Sequence, residues 1–232
     1  MSDDGLRTLL AGLKAKRGYL LPHHGLMAVT APNLLAAYDA AYTAMALDDR
    51  VLSHHDREFV WLGVLIATSE EIATHHLEKL RKAGGTDAEV RSCMALSATV
   101  CGFRAYRFVD AHWTQHLPGI DPKAEWGRAM LRAGEGAEER LLHMTACAIQ
   151  VCNGDWTGLR WQLAQAYAAG IDEVELAEAI SLTMFPASVP NFVTAAQVWM
   201  TMIREGELQA SEPFRDWAMM SGQGGHGVSA DD

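Results

Sequence analysis

The sequence repeats part of itself at an offset of 86 residues, which constrains the fold more than any other feature. Identical residues fall in register without a gap at pairs that include Leu77 and Leu163, Gly84 and Gly170, Leu96 and Leu182, and Trp113 and Trp199. Such a repeat indicates one supersecondary unit that is duplicated and packs against its copy. The first copy has Glu58, Glu70, Glu71, His75 and His76 where the second has Met144, Trp156, Thr157, Trp161 and Gln162. The first copy is therefore predicted to carry titratable chemistry and the second to act as scaffold.

Composition and charge exclude several classes of protein. The chain has 232 residues, 49% of them hydrophobic, which is enough for a substantial core. Its formal net charge of −10 argues against a nucleic-acid partner, because a phosphate backbone requires a basic surface. The longest apolar run, residues 59–68, is about half of the roughly 20 residues that span a bilayer, so no membrane partner is expected. The N-terminal Met-Ser-Asp-Asp lacks the basic region of a signal peptide, and a cytoplasmic location is expected.

Helical periodicity runs through nearly the whole chain, so the predicted fold class is all-α. Ser53 and Thr86 each precede an acidic residue at capping-box spacing, and Gly84 is a typical helix stop. Segment 59–67 is apolar on every face, which predicts a buried central helix. The predicted helices cover residues 4–16, 32–46, 59–67, 69–83, 87–101, 104–116, 137–152, 157–169, 173–184 and 190–204, with a loop at 21–25.

These elements group into five predicted segments. Residues 1–56 form an N-terminal helical lead-in, and residues 57–117 form the first repeat, which carries the chemistry. Residues 118–142 contain a connecting helix, and residues 143–206 form the degenerate second repeat. Residues 207–232 are predicted to hold a short helix and a disordered tail, because the end of the chain is rich in Gly, Ser and Asp.

The strongest candidate site residue is His76. On a helical wheel of residues 69–83 it lies in the inward stripe with Ile72 and Leu80, where a carboxylate is needed to compensate its charged form. Such a pair can perform general acid–base chemistry near neutral pH. The candidate partners are Glu58, Glu70 and Glu71.

Each candidate also has a structural explanation. His76 could be a hydrogen-bonded core residue, and Glu58 could simply complement the positive end of its helix dipole. Glu71 and His75 could form an exposed i,i+4 pair worth a few tenths of a kcal/mol.

Three histidine doublets and four cysteines are potential metal ligands. The doublets are His23-His24, His54-His55 and His75-His76. Adjacent helical residues point about 100° apart, so no doublet chelates a metal by itself, and no metal is assigned. The cysteines lack C-x-x-C and metal-finger spacing and lie in apolar helical patterns, which predicts buried, reduced thiols at Cys93, Cys101, Cys147 and Cys152.

One stretch combines an arginine, an apolar helix, glutamates, His-Leu, a glycine eight residues after the histidine, a further glutamate and Cys-Gly. It reads Arg57-Glu58, Leu65-Ile66, Ser69-Glu70-Glu71, His76-Leu77, Ala83-Gly84-Gly85-Thr86, Glu89-Val90, Cys101-Gly102 and Trp113. This pattern resembles the γ-carboxymuconolactone decarboxylase family. Residues 31–38 are similar to the lead-in of that family, and the second repeat is similar more weakly, through Gly170, Glu175, Glu178 and residues 185–190. Which of Glu70 and Glu71 matches the family glutamate stays open.

The resemblance implies a duplicated, all-α carboxymuconolactone decarboxylase-like (alkylhydroperoxidase D-like) helical bundle that assembles into a ring, with a homotrimer favoured. Alkylhydroperoxidase D-like members of the superfamily use a C-x-x-C pair ahead of the histidine. Ser69 and Ile72 occupy those positions here, so a thiol peroxidase is not expected. The branch that remains acts through glutamate and histidine side chains without a bound cofactor.

The first functional hypothesis is a cofactor-free lyase that acts on a small oxygenated carboxylic acid by decarboxylation or a related carbon–carbon cleavage. His76 exchanges a proton with the developing enolate, Glu58 or Glu71 orients it, and Glu70 and His75 are further catalytic candidates. Candidate carboxylate ligands are Arg104, Arg57 and Arg107, because guanidinium binds carboxylate in a bidentate fork. Candidate apolar walls are Trp61, Phe103 and Tyr106. The alternatives are a non-catalytic helical assembly protein with a decayed site, and a metal-dependent enzyme that uses His76, Glu58 and a second histidine.

Overall fold

The structure is a computed structural model that describes residues 3–223. Helices supply its regular structure, and no strand occurs within that range, so the all-α prediction is confirmed. The chain divides into two compact units, the first ending at Asp48 and the second beginning at Asp49. No helix in the described range is long and apolar enough to cross a membrane. The predicted disordered tail lies outside the described residues from residue 224 onward.

The first unit consists of α1 (Asp3–Arg17), α2 (Pro22–Thr30), α3 (Pro32–Tyr42) and a π-helical turn (Thr43–Leu47). The loop predicted at 21–25 is wrong, because α2 already begins at Pro22. A proline is favourable in the first helical turn, where its missing N–H would have no helical partner. Nδ1 of His24 accepts a hydrogen bond from the N–H of Leu21 at 3.0 Å, which caps this turn. Burial lowers the pKa of His24 to about 4, so the ring acts there as a neutral acceptor.

The first half of the second unit contains α4 (His54–Ala67), α5 (His75–Lys82), α6 (Asp87–Cys101), α7 (Arg104–His112) and a short 3₁₀ turn (Thr114–His116). A connecting helix, α8 (Pro122–Ala133), follows. The second half contains α9 (Glu139–Asn153), α10 (Trp156–Ala168), α11 (Glu173–Ser181), a 3₁₀ turn (Leu182–Met184), α12 (Val189–Arg204) and α13 (Glu212–Met219). The order α4 to α7 recurs as α9 to α12, while the duplication itself stays a prediction.

The predicted helix caps form. Oγ of Ser53 accepts from the N–H of Asp56 at 3.1 Å and starts α4. Thr86 and Glu89 form a reciprocal capping box, in which the Thr86 hydroxyl accepts from the Glu89 N–H and the Glu89 carboxylate accepts from the Thr86 N–H. Gly84 has φ = 96°, a conformation that glycine adopts without a steric penalty, and it lies just beyond the end of α5.

Helices α4 and α9 form the centre of the second unit and pack against each other. Residues 59–65 of α4 are all buried, as predicted, but the predicted burial does not extend to the end of the segment, because Ile66 is exposed and Ala67 half-buried. The two helices approach closely at Gly63, where a Cβ atom would lie 2.3 Å from Cγ2 of Thr145 and 3.3 Å from Cδ1 of Ile149. A side chain at position 63 would therefore push the central pair apart.

Each half is also held by the segment that precedes the other half. Oγ of Ser92 in α6 donates to the carbonyl oxygen of Glu135, ahead of α9, at 2.6 Å. Glu178 occupies the matching position of α11, and its buried carboxylate accepts from the N–H groups of Val51 and Leu52, ahead of α4, at 2.8 and 3.0 Å. These reciprocal hydrogen bonds fix the starts of α4 and α9. They therefore also fix the placement of the site residues on α4.

Three further predictions differ from the structure. The predicted helix 69–83 begins only at His75, so residues 69–74 are not helical, and Ile72 is exposed instead of lying in a buried stripe. The predicted helix 104–116 ends at His112 and continues as a short 3₁₀ turn. Cys101 is exposed and Cys152 half-buried, whereas Cys93 and Cys147 are buried as predicted.

Candidate active site

A histidine–glutamate pair lies between α4 and α5. Nδ1 of His76 is 2.6 Å from Oε2 of Glu58, and both side chains are about 3% exposed. Glu58 lies in the first turns of α4 behind the Ser53 cap, and His76 is the second residue of α5. A contact this short between buried, ionisable groups is typical of a charge-assisted hydrogen bond. Of the carboxylates considered from the sequence, Glu58 is the one that contacts His76.

Aromatic and charged side chains fix this pair from two sides. The ring of Trp61 stacks on that of His76, with centroids 4.8 Å apart and planes inclined by 23°. The ring of His75 lies on another side, with its centroid 4.3 Å from that of His76. Nζ of Lys79 is 4.0 Å from Oε1 of Glu58, the carboxylate oxygen that does not contact His76. The imidazole is therefore held in one orientation by packing and by its acceptor.

The chain between α4 and α5 is an irregular turn, and this turn makes the site accessible. Ser69 adopts φ = 56°, a left-handed conformation that is unusual for a residue with a side chain. The N–H of Glu70 bonds back to the carbonyl of Leu65 at 3.0 Å, which closes the end of α4. In the second half, α10 is already helical from Trp156, the position that matches Glu70. The first half thus lacks a helical turn at the positions where α10 begins.

A depression of about 410 Å³ lies beside this turn, and His76 forms part of its lining. Its apolar walls are Leu62, Leu65, Ile66, Ala73 and Leu77. Its polar rim is Ser69, Glu70, Glu71 and Thr74. Because Glu58 engages Nδ1 of His76, Nε2 is the nitrogen left to meet a molecule in the depression.

The structure does not bring the predicted carboxylate ligands to this depression. The Arg57 side chain is buried, and its Nη2 lies 2.8 Å from Nδ1 of His54. Arg104 is exposed and lines a different depression, along α7. Arg107 pairs with Asp155 at 3.1 Å. The guanidinium clamp inferred from the sequence is therefore not formed around His76 by these three residues.

The predicted apolar walls are also distributed differently. Trp61 is buried behind His76, where it supports the ring. Phe103 packs edge-on against Trp126 and Trp161, and Tyr106 packs against Trp126. Glu70, Glu71 and His75 do lie near His76, the glutamates on the rim and His75 against the ring.

The second half holds a different buried pair that the sequence comparison missed. Nε2 of Gln162, which matches His76, donates to Nδ1 of His143 at 2.9 Å. At the offset of 86 residues His143 matches Arg57 and not Glu58, so alignment in register gives no signal for this pair. Burial lowers the pKa of His143, which keeps the ring neutral as an acceptor for the amide. This pair can maintain packing, and the carboxylate near it differs from Glu58, because Glu139 is 61% exposed and lies 3.5 Å from Nε2 of His143.

Two observations bear on thiol and metal chemistry. Ser69 and Ile72 lie in the irregular turn, and burial raises the pKa of the Cys93 and Cys152 thiols to about 12. Among residues 3–223, no three histidine, cysteine, aspartate or glutamate side chains converge as a group that could hold a metal ion.

Comparison with known proteins gives one match. Residues 32–113 match the model of the carboxymuconolactone decarboxylase family. This confirms the resemblance for the stretch that contains Glu58, His76 and the irregular turn, while the weaker resemblance of the second repeat stays a prediction. No curated protein and no solved structure matched the chain.

Proposed function

We propose that this chain, whose residues 32–113 match the carboxymuconolactone decarboxylase family, is a lyase that uses glutamate–histidine acid–base chemistry without a cofactor. The observation that carries the proposal is the buried 2.6 Å contact between His76 and Glu58 at the edge of an open depression. A core histidine would not need to line a cavity, and a surface ion pair would not be buried. The combination is what proton transfer to a bound molecule requires.

The proposal gives separate roles to the two ring nitrogens of His76, and the contact between Nδ1 and Glu58 supports them. An ionised Glu58 accepts a hydrogen bond from Nδ1–H, so the neutral ring presents its lone pair at Nε2. Nε2 takes a proton from a carbon next to a carbonyl group, or returns one to the enolate that remains after a carbon–carbon bond breaks. Glu58 stabilises the imidazolium that forms between these steps, as the carboxylate does in other histidine–carboxylate pairs.

The surroundings favour this chemistry in two ways. Trp61 stacks on His76 and holds the ring in place, so little reorganisation is needed when a substrate arrives. The apolar walls displace water from a bound molecule, which strengthens the interaction of the ring with developing charge. The substrate is proposed to be a small oxygenated compound. The carboxylic acid expected from the sequence would need a cationic ligand other than Arg57, Arg104 or Arg107 in their present positions.

The proposal is tested by solvent-exchange catalysis, which does not require the natural reaction to be known. Lactones, ketones, oxo acids and carboxylated muconolactone are incubated with the protein in D₂O, and deuterium uptake at carbon is followed by proton NMR. His76→Gln is expected to lower the rate by about 10² or more, because the amide cannot act as a base. His116→Gln is the matched control, since that exposed histidine lies on the 3₁₀ turn after α7, away from Glu58. An unchanged rate in His76→Gln contradicts the proposal.

We also propose that the chain works as a homo-oligomer, because one observation favours assembly. Trp199 is 4% exposed and is covered by Phe214 and Trp217 of α13, whereas Trp113, at the matching position of the first half, is 51% exposed. Phe108 packs against Trp113 and is also exposed. A contiguous apolar patch of this kind is typical of an interface. Light scattering is expected to give a mass near that of a trimer, and a single-chain mass contradicts the proposal.

A further inference from the structure

The charges around the depression beside His76 are all of one sign among the residues that line it. Glu70 and Glu71 are exposed on the rim, and the other polar lining residues besides His76 are Ser69 and Thr74. The lining described here includes neither lysine nor arginine. A carboxylate that enters the depression would therefore approach two negative charges without a cation among the lining residues to compensate them.

The nearby cations are directed elsewhere. Lys79 lies within 4.0 Å of the buried Glu58, and it offsets the charge of that carboxylate behind the ring. Lys82 pairs with Glu78 at 2.6 Å on the far side of α5. Arg57 is buried against His54. None of these three side chains lines the depression.

The depression is large enough and apolar enough for a ring-sized molecule. An apolar cavity of about 150 Å³ is known to hold benzene, and the depression here measures about 410 Å³. Five of its lining residues are aliphatic, and they surround the imidazole that is proposed to do the chemistry. The expected ligand therefore has an apolar body and one polar end that meets His76 or the acidic rim.

We infer that the depression takes a small, largely apolar molecule whose polar end is uncharged or positive, and that it discriminates against carboxylates. The inference rests on the proposed function in one respect only, which is that the depression beside His76 is the substrate site. It changes the expected substrate class from a carboxylic acid to an uncharged or cationic carbonyl compound.

Proton transfer at carbon, which is the step that the proposed lyase shares with solvent exchange, can proceed on such a substrate without a carboxylate. Nε2 of His76 takes the proton from the carbon next to the carbonyl, and the electron pair of that C–H bond moves to give an enolate. The imidazolium then returns the proton to the same or a conjugated carbon. Atoms and electrons balance without an oxidant, a reductant or a second substrate.

Three probes of nearly the same shape and different charge test the inference, namely benzamidine, benzamide and benzoate. Their binding to the full chain is followed by NMR through the ring resonances of His76 and the indole N–H of Trp61. Benzamidine and benzamide are expected to bind, and benzoate to bind at least about fivefold more weakly than benzamide, which corresponds to one screened contact with a rim charge. Benzoate that binds as tightly as benzamide overturns the inference, and so does a failure of all three probes to perturb His76 or Trp61.

Rim variants identify the source of the discrimination. The double variant Glu70→Gln, Glu71→Gln is expected to bring benzoate within about twofold of benzamide, because both charges are removed while the shape is kept. Glu78→Gln is the matched control, since Glu78 is an exposed glutamate on α5 that does not line the depression. Discrimination that persists in the double variant contradicts the role of the rim.

The outcome is separable from that of the proposed function. The binding order is measured without turnover, and it is expected to persist in His76→Gln with Trp61 as the reporter. If the natural protein shows no exchange catalysis but binds benzoate more weakly than benzamide, the lyase proposal is wrong and the inferred ligand class stands. If it catalyses exchange but binds benzoate more tightly than benzamide, the lyase proposal stands and the inferred ligand class is wrong.

Discussion

Ser69 illustrates how a single backbone conformation shapes the site. Its φ of 56° turns the chain out of α4, and Glu70, Glu71, Ala73 and Thr74 then line the depression beside His76. A left-handed conformation costs a residue with a Cβ about 1–2 kcal/mol, a penalty that glycine does not have. The conformational cost at Ser69 accompanies a turn that separates α4 from α5 and borders the depression beside the ring of His76.

The substitution Ser69→Gly is expected to stabilise the protein. Relief of the strain exceeds the extra entropy of glycine in the unfolded chain, which is about 0.5–1 kcal/mol, so the net gain is about 0.5 kcal/mol. Urea unfolding measures it. Thr68→Gly is the control, because Thr68 has φ = −91° and its hydroxyl donates to the carbonyl of Val64. Thr68→Gly is expected to lose stability. If Ser69→Gly loses a similar amount of stability, Ser69 is not strained in the folded protein.

The substitution Glu58→Gln tests whether the charge of the Glu58 carboxylate contributes to proton transfer by His76. The amide oxygen can still accept from Nδ1–H of His76, so the ring keeps its position, but the imidazolium intermediate loses its counter-charge. Deuterium exchange is expected to slow by about 10- to 100-fold while probe binding stays within about twofold. Glu78→Gln serves as the control with an unchanged rate, and a rate in Glu58→Gln equal to that control would show that Glu58 has no part in proton transfer.

The pairing of His76 with a carboxylate was predictable from residue type and spacing, but the surroundings of the pair were not. Three glutamates were equivalent candidates in the sequence, and only the crossing of α4 and α5 selects Glu58. Trp61 was predicted to contact substrate, yet it lies behind the ring, because side-chain direction on a buried helix is set by packing with its neighbours. Arg57 is one residue from Glu58 and points into protein instead of the depression.

At the scale of elements, the crossing of α4 and α9 depends on a missing side chain. Gly63→Ala would place a methyl group 2.3 Å from Cγ2 of Thr145, and it is expected to destabilise the protein by about 1–3 kcal/mol despite the better helix propensity of alanine. Thr145→Ser removes Cγ2 and is expected to restore most of the loss in the double variant. Denaturant unfolding of all four proteins gives the coupling energy. Additive losses would contradict a direct clash.

The helices themselves were largely predictable, and the failures have a common cause. Helix 87–101 matches α6 from end to end, because a capping box and a Cys-Gly boundary mark it. Residues 69–74 were predicted as helix because Ile72 fits the spacing of an inward stripe with His76 and Leu80, and a serine in the left-handed region has no marker in the sequence. The loop predicted at 21–25 is wrong for the converse reason, since proline and glycine are common in loops but Pro22 here occupies the first position of a helix.

At the scale of the whole second unit, a charged network joins helices from both halves. His55 lies 3.1 Å from Asp56 and 2.9 Å from Glu89, and Arg140 bonds to Asp56 and Glu175 at 2.6 and 2.7 Å. Burial alone would lower the pKa of His55, but the hydrogen bond with Asp56 and the charge of Glu89 outweigh it and raise that pKa. Burial also opposes the ionisation of Asp56, but hydrogen bonds from Arg140 and His55 lower its pKa.

The stability contributed by His55 is expected to depend on pH. Because its pKa is higher in the folded state than in the unfolded chain, the contribution is complete below the unfolded pKa near 6.5 and is lost as the pH rises through the raised, folded value. Urea unfolding of the natural chain and His55→Gln at pH 5.5 and 8.5 measures it. The difference between the two proteins should be larger at pH 5.5. An equal difference at both pH values, or a similar pH effect in the control His116→Gln, contradicts the assignment.

The turn between α4 and α5 has a consequence for how proteins of this design diversify. It connects the helix that bears Glu58 to the helix that bears His76, yet its own side chains at positions 69–72 are exposed and add little to the core. Insertions or exchanges in this short stretch would reshape the ligand space without disturbing either helix. In the proposed lyase, exchanges at these positions would therefore change the preferred ligand while the pair of Glu58 and His76 stays in place.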